Sequence, residues 1–113
     1  MKVFCVAFPI LPGRSEALKE FSKALMGPRR MEFEASEKRL KVLKESFFLE
    51  KTPQGDLAIV YFEADDVQMA VEAFGRSQDP FDRWFKDQVK GITGVDIEQP
   101  AGPLPEQVLA YGY

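Results

Sequence analysis

The chain has 113 residues, 45% of them hydrophobic and 29% charged, with 15 Lys plus Arg against 18 Asp plus Glu, one Cys, no His and no Asn. That length suits a single domain whose core needs no disulfide or metal staple, and the absence of His removes the commonest zinc and haem ligand and rules out Ser-His-Asp or Cys-His catalysis. A formal charge of -3 offers no chain-wide attraction to phosphate backbones or anionic lipid, so neither nucleic acid nor a membrane is expected as a partner.

Lys2 to Phe8 is short, aromatic and β-branched, and Pro9, Pro12 and Gly13 close it, which predicts a first strand. Cys5 lies inside that run, cannot form an internal disulfide and reads as a small buried hydrophobe. A lone Cys suits a reducing compartment. The first dozen residues carry one Lys, two interrupting prolines and no small-x-small cleavage site, so they do not read as a signal peptide. No run approaches the roughly 20 apolar residues a membrane-spanning helix needs. A soluble, cytoplasmic protein is the expectation.

After Gly13, the residues Ala17, Leu18, Phe21, Ala24 and Leu25 recur at steps of three and four and predict a helix that Gly27 and Pro28 stop. Pro28 can then open the first turn of a second helix. Glu34 to Lys38 and Glu37 to Lys41 would form its solvated face, with Phe33, Leu40 and Leu43 on its thin apolar side. Glu45 to Thr52 and Asp56 to Glu63 read as strands joined through Pro53, Gln54 and Gly55, hence a hairpin. Asp65 and Asp66 can cap a third helix with the stripe Val67, Ala70, Val71 and Phe74. Asp79-Pro80-Phe81-Asp82 is a start signal for a fourth, with the stripe Phe81, Trp84, Phe85, Gln88, Val89 and Ile92. After Gly94, Val95 to Glu98 is expected to be a last, short strand. Residues 99–113 hold three Pro and two Gly and read as a tail after a single domain over residues 1–98.

This order implies two βαβ-like halves with split helices in an α+β sheet-and-helix layer. Helices on one face would leave the other wet, and strand side chains should then alternate apolar with polar. They do not. The first strand sets Val3, Cys5 and Ala7 against Phe4, Val6 and Phe8, and the third sets Leu57, Ile59 and Tyr61 against Ala58, Val60 and Phe62. A second subunit stacked sheet on sheet is the expected cover, and the chain's own tail is the rival one.

The stretch FPILPGRSEALKEF, the central hairpin and DPFDRWFKDQVKGITGVDIE together resemble the dimeric α+β-barrel superfamily, and within it an uncharacterised bacterial branch. The resemblance implies a ferredoxin-like βαββαβ subunit that pairs with its twin through the sheet to form a dimeric α+β barrel. That superfamily holds cofactor-free oxygenases, haem-binding enzymes, isomerases and ligand-binding regulatory modules, so it transmits no single activity. Its haem binders generally depend on a His, which this chain lacks. Its quinone-forming oxygenases lean on Asn, Trp, Tyr and Arg, of which Trp84, Tyr61 and several Arg are present and Asn is not.

Five residues stand out as ligand-binding candidates. Trp84 either joins its helix's core stripe or stacks on a ligand. Arg83 lies four residues from both Asp79 and Asp87, where it forms surface ion pairs or turns inward beside Trp84 toward an anionic aromatic molecule. Arg29 and Arg30 oppose the dipole at a helix start, offset by Glu32 and Glu34 or by a bound anion. Tyr61 fills the core or orients a substrate between sheet and helices. The carboxylates are spaced as caps and solvated faces, with no EF-hand or phosphate-loop pattern, so no metal, nucleotide or other cofactor is expected. Leu109, Tyr111 and Tyr113 could dock on the body or a partner, or hang free. Three functions remain open: a module binding a small apolar or aromatic ligand, a cofactor-independent oxygenase or isomerase acting on a phenolic or polyketide-like compound, and a structural dimer that binds other proteins.

Overall fold

The computed structural model describes residues 2–100 and 102–112. Seven elements form in the order β1 (Lys2–Pro9), α1 (Ser15–Met26), α2 (Arg30–Leu40), β2 (Val42–Thr52), β3 (Gly55–Ala64), α3 (Val67–Arg76) and α4 (Pro80–Thr93). The strands pair antiparallel in the order β1-β3-β2, an α+β arrangement consistent with the first three strands of a ferredoxin-like order. The hairpin between β2 and β3 closes on itself. Thr52 Oγ1 accepts from the Gln54 N–H at 3.2 Å, and Gly55 takes φ 123°, where a side chain would be strained.

The register puts Phe4, Phe62 and Glu45 in one row across the sheet, Val6, Val60 and Phe47 in the next, and Phe8, Ala58 and Leu49 in a third. This face meets the helices. The opposite face carries Cys5, Tyr61 and Ser46 in one row and Ala7, Ile59 and Phe48 in another. Phe48 is 57% exposed there.

Two apolar clusters hold the helices on. The larger is built on Ile10, Leu18, Phe21, Leu25, Ala58, Phe81, Phe85 and Ile92, and the smaller on Phe62, Ala64, Val67 and Ala70. Phe85 sits at the centre of the first, within 4.9 to 6.4 Å, ring centre to ring centre, of Phe21 from α1, Phe33 from α2, Phe47 from β2, Phe74 from α3 and Phe81 from its own helix. The start of α4 follows its sequence signal. Asp79 accepts from the Phe81 N–H at 2.9 Å, Pro80 occupies the first turn, and Gly94 ends the helix with φ 78°.

Several sequence expectations need correction. No strand follows α4 among the described residues, and local hydrogen bonds engage the amides of Val95 and Glu98 instead. The Val95 N–H donates to Thr93 Oγ1 at 3.1 Å, the Glu98 N–H to the Asp96 carboxylate at 3.0 Å, and the Gln99 N–H to the Asp96 carbonyl at 3.2 Å. The sheet therefore has three strands, with β1 at its edge. Pro28 lies in a turn before α2 rather than inside it. Lys41 ends α2 in the left-handed region at φ 58°, so Leu43 belongs to β2 at an irregularity between Val42 and Lys44 and is exposed, and Glu37 has no Lys41 on its helical face. Glu34 pairs with Arg30 at 2.9 Å instead of with Lys38. Cys5 is exposed in the single chain. The tail begins on the helix side, where Leu104 packs against the smaller cluster and Pro103 and Pro105 line the same side. Leu109 and Tyr111 are exposed, and Tyr113 lies outside the described residues.

Because Phe85 links every helix to the sheet, Phe85→Ala should cost about 3 to 5 kcal/mol, read as a fall in the urea unfolding midpoint. A loss below about 1 kcal/mol would show that the cluster does not carry the fold.

Candidate functional site

The two apolar clusters do not meet completely. Between them, the sheet and the helices enclose a partly open cavity of about 410 Å³. Phe4, Val60, Phe62 and Phe47 form its floor from the sheet, and Phe21, Phe85, Val71 and Phe74 reach it from the helices. The segment after α4 supplies a further wall through Ile97, Pro103 and Leu104. The wall is apolar almost throughout, and the size lies within the range of small-molecule pockets.

Its main polar feature is a pair of carboxyl groups. Glu37 projects from α2, and Glu45 stands on β2 in the row of Phe4 and Phe62, hydrogen-bonded to Glu37 at the cavity wall. Burial pushes the Glu45 carboxyl well above its ordinary value of 4.5, and the neighbouring Glu37 raises it further. Glu37 is raised as well, first by burial and also by the charge of Asp82. Each carboxyl makes ionisation of the other less favourable, so the pair holds protons more tightly than either group would in water.

Beside this pair runs a polar seam whose groups satisfy one another. Asp82, 1% exposed, accepts from Ser36 Oγ and Ser77 Oγ, both at 2.6 Å, and from Arg39 at 3.2 Å. Arg39 also pairs with Asp79 at 3.3 Å. Lys86, 3% exposed, donates to the carbonyls of Gly75 at 3.1 Å and Ser77 at 2.8 Å and pairs with Glu98 at 3.2 Å. The seam ties α2, the α3–α4 connection, α4 and the tail segment together. Its carboxylate and ammonium are already matched.

None of the five residues singled out from sequence lines the cavity. Tyr61 lies on the outward face between Cys5 and Ser46 and donates its hydroxyl to Glu63. Trp84 packs edge-on against Phe21 at 5.5 Å, and the Arg29 guanidinium lies 4.1 Å from the centre of its ring while pairing with Glu32 at 2.9 Å. The structure thus brings Arg29, not Arg83, to Trp84. Arg83 is exposed and makes no ion pair with Asp79 or Asp87, and Arg30 pairs with Glu34. Glu37 and Glu45 are not among the residues that sequence pattern singles out, since helical spacing puts Glu37 on a solvated face and Glu45 opens a strand. A signal was present, since strand alternation places Glu45 on the same face as Phe47 and Leu49, an acid aimed at the core.

Over residues 1–101 the chain matches a family of unknown function, DUF6176, and it belongs to that family. No curated protein and no solved structure matches the chain. Among the described residues no helix is long and apolar enough to cross a membrane.

The raised carboxyls have a consequence for stability. Both bind protons more tightly in the folded chain than in the unfolded one, so their contribution is full below the ordinary value of 4.5 and is lost as pH rises through the raised range. Urea unfolding between pH 5 and pH 8 should show this decline, with a limit of about 1.4 kcal/mol per pH unit for one proton. Glu45→Gln should flatten it. Equal slopes in the two proteins would remove the pair as its source.

Proposed function

We propose that this family member binds a small, largely apolar molecule in the cavity between its sheet and helices. The observation that carries this reading is the cavity itself. It holds about 410 Å³ walled almost entirely by apolar side chains, and apolar surface facing such a space gains packing contacts and sheds water when a molecule of matching shape enters. Trp84 and Tyr61 stand outside it, which weighs against an oxygenase or isomerase reaction built on those two side chains.

The test uses a neutral, environment-sensitive dye, N-phenyl-1-naphthylamine. Saturable fluorescence enhancement at one dye per chain is expected. Ala70→Phe, which adds a ring at a buried wall position, should weaken binding by about tenfold or more through lost apolar burial, with an unchanged circular dichroism spectrum. Undiminished binding in that variant would place the dye elsewhere.

A second feature supports assembly into a homodimer of the α+β-barrel kind. The outward sheet face presents Val3, Ala7, Ile59 and Phe48, the last 57% exposed, while the helices pack on the other face, and a two-fold pair covers two such faces with one self-complementary patch. Sedimentation at micromolar concentration should give a dimer, and Ile59→Lys should give a folded monomer. A wild-type monomer would defeat the pairing.

A further inference from the structure

The cavity's charged lining has one sign. Among the described residues it includes Glu37, Glu45 and Asp96 and no Lys or Arg. Nearby basic groups are already engaged: Arg39 with Asp82 and Asp79, Lys86 with Glu98, and Lys90 with Asp96 at 3.9 Å. The Glu37–Glu45 pair therefore stands on the cavity wall with no basic side chain beside it among the described lining residues. Asp82, itself paired with Arg39, acts on Glu37 from α4 with the same sign, and Asp96 lines the cavity from the segment after α4.

We propose that the ligand of this cavity is an apolar amine, with its ammonium held between Glu37 and Glu45 and its hydrocarbon body against the surrounding rings. This rests on the cavity being a ligand site and deepens that reading by naming the ligand's chemical class. Three candidate head groups can be compared. An ammonium supplies donors and a positive charge to both carboxylates, making charge-assisted hydrogen bonds where water is scarce. A hydroxyl supplies one donor and no charge to offset either carboxylate. A carboxylate meets like charge with no cation to offset it. The entering ammonium favours both carboxylates ionised, so a proton held by the pair leaves its O–H bond for solvent and is released on binding. Amine and carboxylates are joined by hydrogen bonds and charge alone.

Three probes with one rigid body isolate the head group: adamantylamine, adamantanol and adamantanecarboxylate, titrated calorimetrically at pH 7 in two buffers of different ionisation enthalpy. The amine should bind roughly tenfold or more tighter than the alcohol, with proton release on binding, and the carboxylate should bind weakest. Amine affinity should rise between pH 5 and pH 8. Glu45→Gln and Glu37→Gln should each erase the preference for the amine while alcohol binding persists, which also reports that the variants fold. Equal affinity of amine and alcohol, tightest binding of the carboxylate, or an amine preference that survives both substitutions would overturn the inference and leave the cavity as a neutral-ligand site. If none of the three probes binds, nor the neutral dye, the cavity reading falls and this inference with it.

Discussion

The ring of Phe85 is the contact on which the rest of the structure depends. It touches an aromatic side chain from each of the four helices and from β2, so one side chain on α4 sets the distance of the whole helical layer from the sheet. Edge-to-face and offset pairs of this kind contribute about 0.5 to 1.5 kcal/mol each beyond the area they bury. Near Phe85 the layer is tight. Toward the Phe4–Phe62 row α3 presents Ala70 and Val71 rather than rings, and the cavity opens there.

The polar groups next to that gap divide into two kinds. Asp82 and Lys86 are nearly fully buried, yet each has several partners, and together they lock the start of α4 and the following segment in place. A charge removed from water is tolerated when it is paired and hydrogen-bonded in this way. Glu37 and Glu45 have the opposite arrangement, two acids against each other with no Lys or Arg among the described residues of the cavity wall. A core that tolerates such a pair gives up stability at neutral pH, and a site that meets a positively charged ligand is a physical reason for keeping it.

Much of the fold was legible in the chain. The Asp79-Pro80 start of α4, the hairpin around Gly55 and the two faces of β1 and β3 all follow from capping, turn chemistry and alternation, which act over a few residues. The last expected strand was not. Val95 to Glu98 has a strand-like composition, but Thr93 and Asp96 claim its amides locally, and a β-branched pattern does not say which competitor for a backbone N–H wins. The candidate site was read less well. Trp84, Tyr61 and the arginines drew notice for their chemistry, and in the fold Arg29 and Glu32 offset each other while Arg29 also stacks on Trp84. The acid with the clearer signal was Glu45, one alternation step from Phe47 on an inward face.

By itself, the sequence determined the α+β class, most element positions and a sheet apolar on both faces, because these depend on periodicity and on contacts between near neighbours. Only the tertiary structure decided that α2 and β2 bring Glu37 to Glu45, that α3 and the tail leave and wall a cavity rather than close it, and that Tyr61 faces away from it. Those outcomes depend on how far apart two packed layers stand and on which side chains meet across them. Distances of that kind are set by the summed sizes of residues remote in the chain, and no local pattern encodes them.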